Sequence, residues 1–301
     1  MSEPTRRRYF TVDVFTDRAF GGNPLAVVLD AEGLTTAQMA AIAREFNYSE
    51  TTFVEPPADP AHTAKVRIFT PAGEIPFAGH PNVGTAFVLA REAGYSVGAH
   101  VLFEEKAGLV PVDILRDGET ITGARLTAPQ PLSLGPALPA GVVAACGGLD
   151  AADVTFERHP PRSASTGMPF AITEVTGLGV LQRAHPNAVA FAALAAHQLD
   201  AVLFYARTPG AAEDVQVRMF APPHGVPEDP ATGSAATALT GLLAGLGSPA
   251  DGKFALRIAQ GAELGRPSLL LADAAVSGGQ PTRIRVGGAC VMMMAGELRV
   301  P

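Results

Sequence analysis

The hydrophobic pattern opens with a strand. In RRYFTVDVF, Phe10, Val12 and Val14 fall on one face and Thr11 and Asp13 on the other, the period-two alternation of a half-buried β-strand. GGNPLAVVLD then adds a turn and a short apolar strand. In TTAQMAAIAREF the period changes: Met39, Ile42, Ala43 and Phe46 follow i, i+3, i+4, i+7, which predicts a helix, and Thr35 with Gln38 supplies a capping box at its start. Strands are expected near 50–55 and 64–70, an apolar small-residue helix over about 81–93, and three further strands near 99–127. The Pro-rich segment 128–140 marks a boundary. Beyond it the expected order is a strand near 168–175, a helix near 187–197, strands near 200–206 and 214–221, and a second small-residue helix over about 232–246.

This order repeats, and so do the letters. RIFTPAGEIP from Arg67 and RMFAPPHGVP from Arg218 share Arg67 with Arg218, Phe69 with Phe220, Pro71 with Pro222 and Pro76 with Pro227, all at an offset of 151. The same offset pairs Ala37 with Ala188, Ala41 with Ala192 and Phe53 with Phe204. Matching letters in matching element order point to an internal duplication. The expected fold is α+β, with two pseudo-symmetric domains facing each other across a cleft. Their expected limits are 1–127 and 128–301, with the last strand, about 290–301, free to pack on the first domain.

Composition narrows the function. The 301 residues are 47% apolar, enough for a sizeable core, and 32 Gly with 26 Pro favour many turns and short elements. A net charge of -7 argues against a nucleic-acid partner; the basic run Arg6-Arg7-Arg8 is read as a solubilising end. Cys146 and Cys290 form no spacing motif, which fits a reducing compartment. No apolar stretch precedes the first strand, and the longest charge-free segment, Leu126 to Leu149, is broken by four prolines. A cytoplasmic, soluble protein with no membrane partner is expected.

The chemistry concentrates at two glycine-rich helix starts, PFAGHPNVGTAFVLA and PEDPATGSAATALTGLLAG. Both helices are apolar nearly all round, so each is expected to be enclosed by sheet. An enclosed helix leaves N–H groups at its first turn that need partners, and Pro81 suits the first helical position. Two such N-termini can converge on one anion such as a carboxylate, or they can be capped internally. His80 opens the first helix; Asp229 and Ser234 flank the start of the second. Each alone has an ordinary structural role, as a satisfied histidine, an N-cap or a back-bonding serine. Three such groups at two matched positions favour a site. Glu50 sits at the mouth of a strand, and the offset of 151 places Ala201 opposite it. A lone strand glutamate is usually just solvated, but this one is an asymmetric feature on a symmetric frame.

Several other patterns fail on context. GYSVG, 94–98, matches G-x-S-x-G but lies between a helix end and a strand, the reverse of a nucleophile elbow. GSPADGKF, 247–254, has Phe254 where a P-loop needs Ser or Thr and leads into a strand. No G-x-G-x-x-G follows a strand, which leaves a dinucleotide cofactor without support. The seven histidines show no metal-ligand spacing, and Lys65, Lys106 and Lys253 lie outside the candidate sites, which disfavours a Schiff-base cofactor. No metal and no cofactor are expected.

GNPLAVVLD, NYSETTFVE, FAGHPNVGTA, EDPATGSAA and QGAELGRPS, spanning residues 22 to 268, together resemble the PhzF family of phenazine-biosynthesis-like isomerases, which has the diaminopimelate epimerase fold. The resemblance implies a mostly antiparallel sheet or barrel wrapped around a central helix in each half, commonly in a homodimer. It implies Glu50 as the proton-transferring acid/base, with His80, Asp229 and Ser234 holding substrate and assisting. Gly79 and Gly233 would offer backbone N–H groups to a substrate carboxylate, with Asn23 and Ser49 as further substrate contacts. The best-known family reaction is isomerisation of trans-2,3-dihydro-3-hydroxyanthranilate. The related epimerases carry a cysteine at each helix start; this chain has none there, so two-thiol racemisation is not available to it.

The expected function is therefore a cofactor-independent isomerase that moves a proton on a small unsaturated or amino/hydroxy carboxylic acid. Glu50 would take a proton beside a conjugated, carboxylate-bearing system and a proton would return further along it. Such a base has to be partly desolvated, and Ser49, Thr51 and Thr52 are candidates to tune it by hydrogen bonds. Asp229 would pair with His80 or with a substrate amine. Two alternatives are a non-catalytic small-carboxylate-binding protein on the same frame, and a metal-free lyase or hydrolase.

Overall fold

The computed structural model describes residues 5–92, 97–247 and 251–301. It contains two compact units. One comprises the chain up to Pro129 together with Gly287–Pro301; the other is Gln130–Val286.

The first unit opens with β1 (Arg6–Val14), β2 (Asn23–Val28) and α1 (Thr36–Phe46). Then come β3 (Glu50–Glu55), β4 (Ala64–Thr70), β5 (Gly73–Ile75), α2 (Gly79–Arg91), β6 (His100–Glu105), β7 (Gly108–Asp117) and β8 (Thr120–Thr127). The second unit has β9 (Ser133–Ala137), α3 (Ala140–Cys146), β10 (Arg162–Ser165), β11 (Pro169–Glu174), α4 (Leu178–Arg183) and α5 (Phe191–Ala195). It continues with β12 (Val202–Arg207), β13 (Val215–Ala221), β14 (Val226–Asp229), α6 (Gly233–Gly247), β15 (Gly252–Gln260) and β16 (Ser268–Ser277). A long final strand, β17 (Gln280–Arg299), begins in the second unit and ends in the first.

In the first unit the strands close on themselves. β1 pairs with β2, β2 with β3, β3 with β4, β4 with β6, β6 with β7 and β7 with β8. β17 closes the ring by pairing with both β8 and β1. Closure removes the exposed sheet edges that would otherwise invite association. Helix α2 packs on β1, β2, β3, β7 and β8, and its residues from Gly79 to Leu89 are all buried. A helix with no polar face is thus enclosed by strands, as its composition requires. Gly84 permits the close approach: a Cβ there would come within 2.6 Å of Leu25 and 2.8 Å of Val14.

Outside the ring, α1 lays Met39, Ile42 and Ala43 against Val28, Phe53 and Phe69. Its capping box at Thr35 and Gln38 is formed, and Asn47 ends it in the left-handed region at φ 53°.

The second unit repeats the scheme. β2 and β3 are parallel, β3 and β4 antiparallel, β4 and β6 parallel, β6 and β7 antiparallel. β11 and β12, β12 and β13, β13 and β15, and β15 and β16 follow the same alternation. α6 packs on β10, β11, β15 and β16, and is buried from Gly233 to Ala244. The offset of 151 carries β4 onto β13 residue for residue. It also carries three details: the ring pair Phe53–Phe69 onto Phe204–Phe220, the Arg67 guanidinium over Phe69 onto Arg218 over Phe220, and the left-handed Asn47 onto Gln198 at φ 61°.

Three local expectations are corrected. The helix expected over 81–93 starts at Gly79, which makes Pro81 its third residue rather than its first; the ring still removes an N–H that has no intrahelical partner. The helix expected near 187–197 is a 3₁₀ turn at Ala188–Ala190 followed by the short α5, because Phe191 and Leu194 are the only buried residues it offers the core. Segment 128–140 contains a strand, β9, paired with β10. Most of the GYSVG segment, at 94–96, and 248–250 of GSPADGKF lie outside the described residues; a strand, β15, does follow the latter.

Among the described residues no helix is long and apolar enough to cross a membrane, and no cluster of His, Cys, Asp and Glu fits a metal ion. Cys146 and Cys290 are buried, which pushes their thiols up to about 11 and about 12, so neither is a ready thiolate.

Candidate active site

The first unit brings Asn23, Glu50 and His80 together. Asn23 begins β2 and Glu50 begins β3; because the two strands run parallel with Leu25 beside Glu50, both polar residues lie at the same end of the sheet. Gly22 makes that placement possible. It sits at φ +63°, and a Cβ would meet the Val14 carbonyl at 2.3 Å. The second residue of α2, His80, completes the group.

His80 is 3% exposed and Asn23 fully buried. Asn23 Nδ2 lies 3.1 Å from His80 Nδ1. An amide nitrogen can only donate, so Nδ1 is the acceptor and the imidazole proton is on Nε2. Burial pushes His80 down to about 3, so it is neutral around pH 7. Its Nε2 faces Oε2 of Glu50 at 3.4 Å, with an alignment outside a regular hydrogen bond. The Glu50 side chain is only 14% exposed. The arrangement holds a sheltered carboxylate against a neutral N–H donor of fixed tautomer. Such a donor stabilises the ionised carboxylate without titrating beside it.

The neighbouring threonines do other work. Thr52 Oγ1 reaches Thr85 Oγ1 of α2 at 2.8 Å and the Ala26 carbonyl, so it ties the strand to the helix instead of tuning Glu50. Thr51 is fully buried and, by strand alternation, on the opposite face from Glu50. Ser49 immediately precedes β3 and is partly buried. Gly79 is the first residue of α2, and Ala78 before it gives no side-chain cap, so no side chain occupies the helix start from its own N-cap.

In the second unit Asp229 ends β14 and Gly233 and Ser234 begin α6. Asp229 is 5% exposed and Oδ2 accepts from Thr232 Oγ1 at 2.6 Å. Gln260, at the end of β15, locks this turn on three sides. Its Nε2 donates to the Asp229 carbonyl and to Thr232 Oγ1, and its Oε1 accepts from Thr232 N–H. Ser268 Oγ adds a bond to the Pro230 carbonyl. Gly261 lets these segments touch: at φ +81° it has room for no Cβ, which would lie 2.5 Å from the Pro230 carbonyl. Ser234 is buried at the second position of α6, and its carbonyl accepts from Thr237 Oγ1.

Sequence reasoning named Asn23, Glu50 and His80 separately but not the bond between Asn23 and His80, and it gave Thr232 and Gln260 no role. The signal for Gln260 was present: it opens QGAELGRPS, one of the five motifs carrying the family likeness.

The fold and the two glycine-rich helix starts have counterparts among known proteins. The family model described as phenazine biosynthesis-like protein matches residues 12–296. An uncharacterized isomerase of Mesorhizobium japonicum is 41% identical, over 97% of this chain and 98% of that protein. Trans-2,3-dihydro-3-hydroxyanthranilate isomerase of Pseudomonas chlororaphis is 36% identical, over 93% of this chain and 95% of that enzyme. The crystal structure of a Bacillus anthracis phenazine biosynthesis protein of the PhzF family superposes with a TM-score of 0.87 at 26% identity, over 98% of this chain and 99% of that one. The chain belongs to the PhzC-PhzF family of phenazine biosynthesis-like proteins. It is an isomerase of α+β, diaminopimelate epimerase-like fold.

Proposed function

We propose that the protein is a cofactor-independent isomerase that moves a proton on a small unsaturated or amino/hydroxy carboxylic acid by general acid/base catalysis. Glu50 is the base. A substrate C–H bond breaks, its proton goes to a Glu50 oxygen, and the electron pair is taken up by the adjacent conjugated system. A proton then returns to another carbon of that system, from Glu50 or a neighbour, so that substrate and product are isomers. The observation that carries this reading is Oε2 of Glu50 held 3.4 Å from the neutral, buried His80, whose tautomer Asn23 sets. A carboxylate in a shielded site beside a donor that stays uncharged can cycle between its two protonation states.

His80 would steady Glu50 and contact the substrate. Asp229 would meet a substrate amine, Ser234 would help to hold the substrate, and the N–H groups at Gly79 and Gly233 would take its carboxylate. Asn23 and Ser49 complete the proposed contacts. The reaction of the Pseudomonas chlororaphis relative makes trans-2,3-dihydro-3-hydroxyanthranilate the first compound to try.

The test is proton NMR in deuterium oxide with a panel of small unsaturated and amino carboxylic acids that includes this compound. Deuterium entering a substrate carbon with wild type and not with Glu50→Gln is the expected result. Binding seen by thermal shift, with no exchange in any compound, would replace this reading with that of a non-catalytic carboxylate-binding protein. Cleavage of the compound instead of rearrangement would indicate a lyase or hydrolase.

A further inference from the structure

Each unit carries a cavity at positions that the duplication relates, and the two cavities differ in charge. Arg7, Val54, Pro56 and Thr63 line the one in the first unit; an offset of 151 turns them into Arg158, Tyr205, Arg207 and Asp214, which line the one in the second. In the first unit Arg7 donates to the carbonyls of Arg6 and Glu32, Asp30 pairs with Arg8, and Glu55 pairs with Lys65. Arg7, the lining cation among the described residues, is thereby engaged.

The second-unit cavity, of about 260 Å³, is left open to a ligand. Leu243, Phe254 and Leu256 form its apolar wall. Its polar wall is fixed from inside. Tyr205, fully buried, donates to Glu174 Oε2 at 3.0 Å, and its hydroxyl lies 2.8 Å from His159 Nε2. His159 Nδ1 donates to the Pro160 carbonyl, and Glu174 Oε1 accepts from Arg207 Nε at 2.8 Å. Glu174 and His159 are 5% and 3% exposed, so a buried network holds Arg207 by one nitrogen. Among the described residues its two terminal nitrogens have no partner, and the exposed Arg158 makes no hydrogen bond or ion pair. Asp214 Oδ2 accepts from the Arg257 N–H, while the Arg257 guanidinium bonds the Ala212 carbonyl and forms no ion pair with Asp214.

The charges then decide the ligand. Glu174 offsets Arg207, which leaves Arg158 and Asp214, one of each sign and not paired with each other. A simple anion on Arg158 would meet the uncompensated charge of Asp214; a zwitterion answers both. We propose that this cavity binds a small α-amino acid with an apolar side chain. Its carboxylate lies on Arg158 and the terminal nitrogens of Arg207, its ammonium on Asp214, and its side chain against Leu243, Phe254 and Leu256. The guanidinium fork suits a carboxylate, and the fixed Arg207 loses little freedom on binding. The volume falls just below the roughly 300–1,000 Å³ of drug-sized pockets, which suits a ligand of this size. The site lies wholly within the second unit and shares no residue with the proposed proton transfer, so it stands apart from the isomerase reading.

The experiment follows backbone amide NMR signals of isotope-labelled protein as L-phenylalanine, phenylpropanoate (the same acid without the ammonium) or phenethylamine (without the carboxylate) is added. Wild type, Arg158→Gln and Asp214→Asn are compared. Both variants should keep a Tm close to wild type, because Arg158 has no bond to lose and an asparagine oxygen can still accept from the Arg257 N–H. L-phenylalanine should move the amides of Ala255 and Leu256 and bind more tightly than either analogue. Arg158→Gln should weaken L-phenylalanine and phenylpropanoate alike, by about tenfold, the scale of a lost charge-assisted pair. Asp214→Asn should weaken L-phenylalanine by a similar factor and leave phenylpropanoate no weaker. Shifts confined to the amides around Asn23, Glu50 and His80 would assign the ligand to the candidate active site and overturn the proposal. Equal wild-type affinity for L-phenylalanine and phenylpropanoate would overturn it too, as would the absence of any shift up to roughly 10 mM ligand.

Discussion

The two units share a frame and differ at the helix start. Each surrounds a helix with strands in the same alternation of parallel and antiparallel pairs, and each has an Arg–Glu ion pair beside a Phe pair whose rings meet at a steep angle. Yet Glu50 of the first has Ala201, fully buried, as its equivalent in the second. The first helix start carries a carboxylate, a neutral imidazole and an amide; the second carries a hydroxyl-rich turn that Gln260 fastens around Asp229. A duplicated frame thus keeps its packing residues and diversifies its polar ones. Packing positions are constrained in both copies by the same neighbours. Polar positions at a helix start are constrained only by what they must bind.

The strongest test of this difference exchanges the asymmetric pair. Glu50→Gln should reduce turnover by roughly 10²–10⁴-fold with the fold intact, because it removes the base and keeps the shape. Ala201→Glu should not create a second base. Ala201 is fully buried and its carbonyl accepts from Ala171 N–H in the sheet, so a carboxylate there meets apolar core and should destabilise the protein by roughly 4 kcal/mol or more in denaturant titrations. Equal tolerance of glutamate at 50 and 201 would mean that the two positions differ by drift and not by environment.

A smaller effect is expected from the shared ion pairs. Arg218 and Glu228 have side chains 7% and 9% exposed, and the Arg218 guanidinium also donates to the carbonyls of Leu181, Gln182 and Ala184. Glu228→Ala leaves that charge buried and should cost roughly 3–5 kcal/mol. Arg67 is more exposed, at 17%, and also reaches Thr36, so Glu74→Ala should cost less, roughly 1–3 kcal/mol. Glu74 adds a pH signature. Hydrogen bonding from Arg67, then from Lys106, holds its carboxyl down to about 2 against burial. A depressed folded value stabilises above the unfolded one and is lost as pH falls through it, so Glu74→Gln should flatten the decline of Tm between roughly pH 4.5 and 2.

Much of this frame can be read in the letters because it rests on periodicity and packing. The α1 capping box, β13 and the offset between Arg67 and Arg218 are local patterns. The candidate site is legible only as a set of separate residues. The bond between Asn23 and His80 joins the start of β2 to the start of α2, and 57 residues separate its partners. The locking of Asp229 by Gln260 spans 31 residues and a strand pairing that no local pattern encodes. Thr52 was misassigned because proximity in sequence to Glu50 is not proximity in space: its hydroxyl reaches the helix inside the ring.

Asn23 sharpens the contrast at lower amplitude. Asn23→Ala removes the donor to His80 Nδ1 and leaves a buried nitrogen unpaired, at a cost of roughly 1–3 kcal/mol. The tautomer of His80 then loses its determinant, so turnover should also fall, though less than in Glu50→Gln. Unchanged turnover in a folded Asn23→Ala enzyme would show that the orientation of His80 has no part in the reaction.

The smallest expected difference concerns how closely each helix is seated. The offset places Gly84 of α2 opposite Ala235 of α6. A Cβ on Gly84 would press on Leu25 at 2.6 Å and on Val14 at 2.8 Å, both fully buried side chains that have little room to move. Gly84→Ala gains helix propensity of about 1 kcal/mol but overpacks the ring by roughly 1–3 kcal/mol, so a net loss of up to about 2 kcal/mol is expected. Ala235→Gly makes the opposite change in the other unit: no overpacking, a more flexible backbone, and a loss of about 1 kcal/mol from propensity alone. Because α2 also carries His80, a helix displaced by Gly84→Ala should lower turnover as well as Tm. If Gly84→Ala proved stabilising, the tight seat of α2 against β1 and β2 would not be what selects glycine at that position.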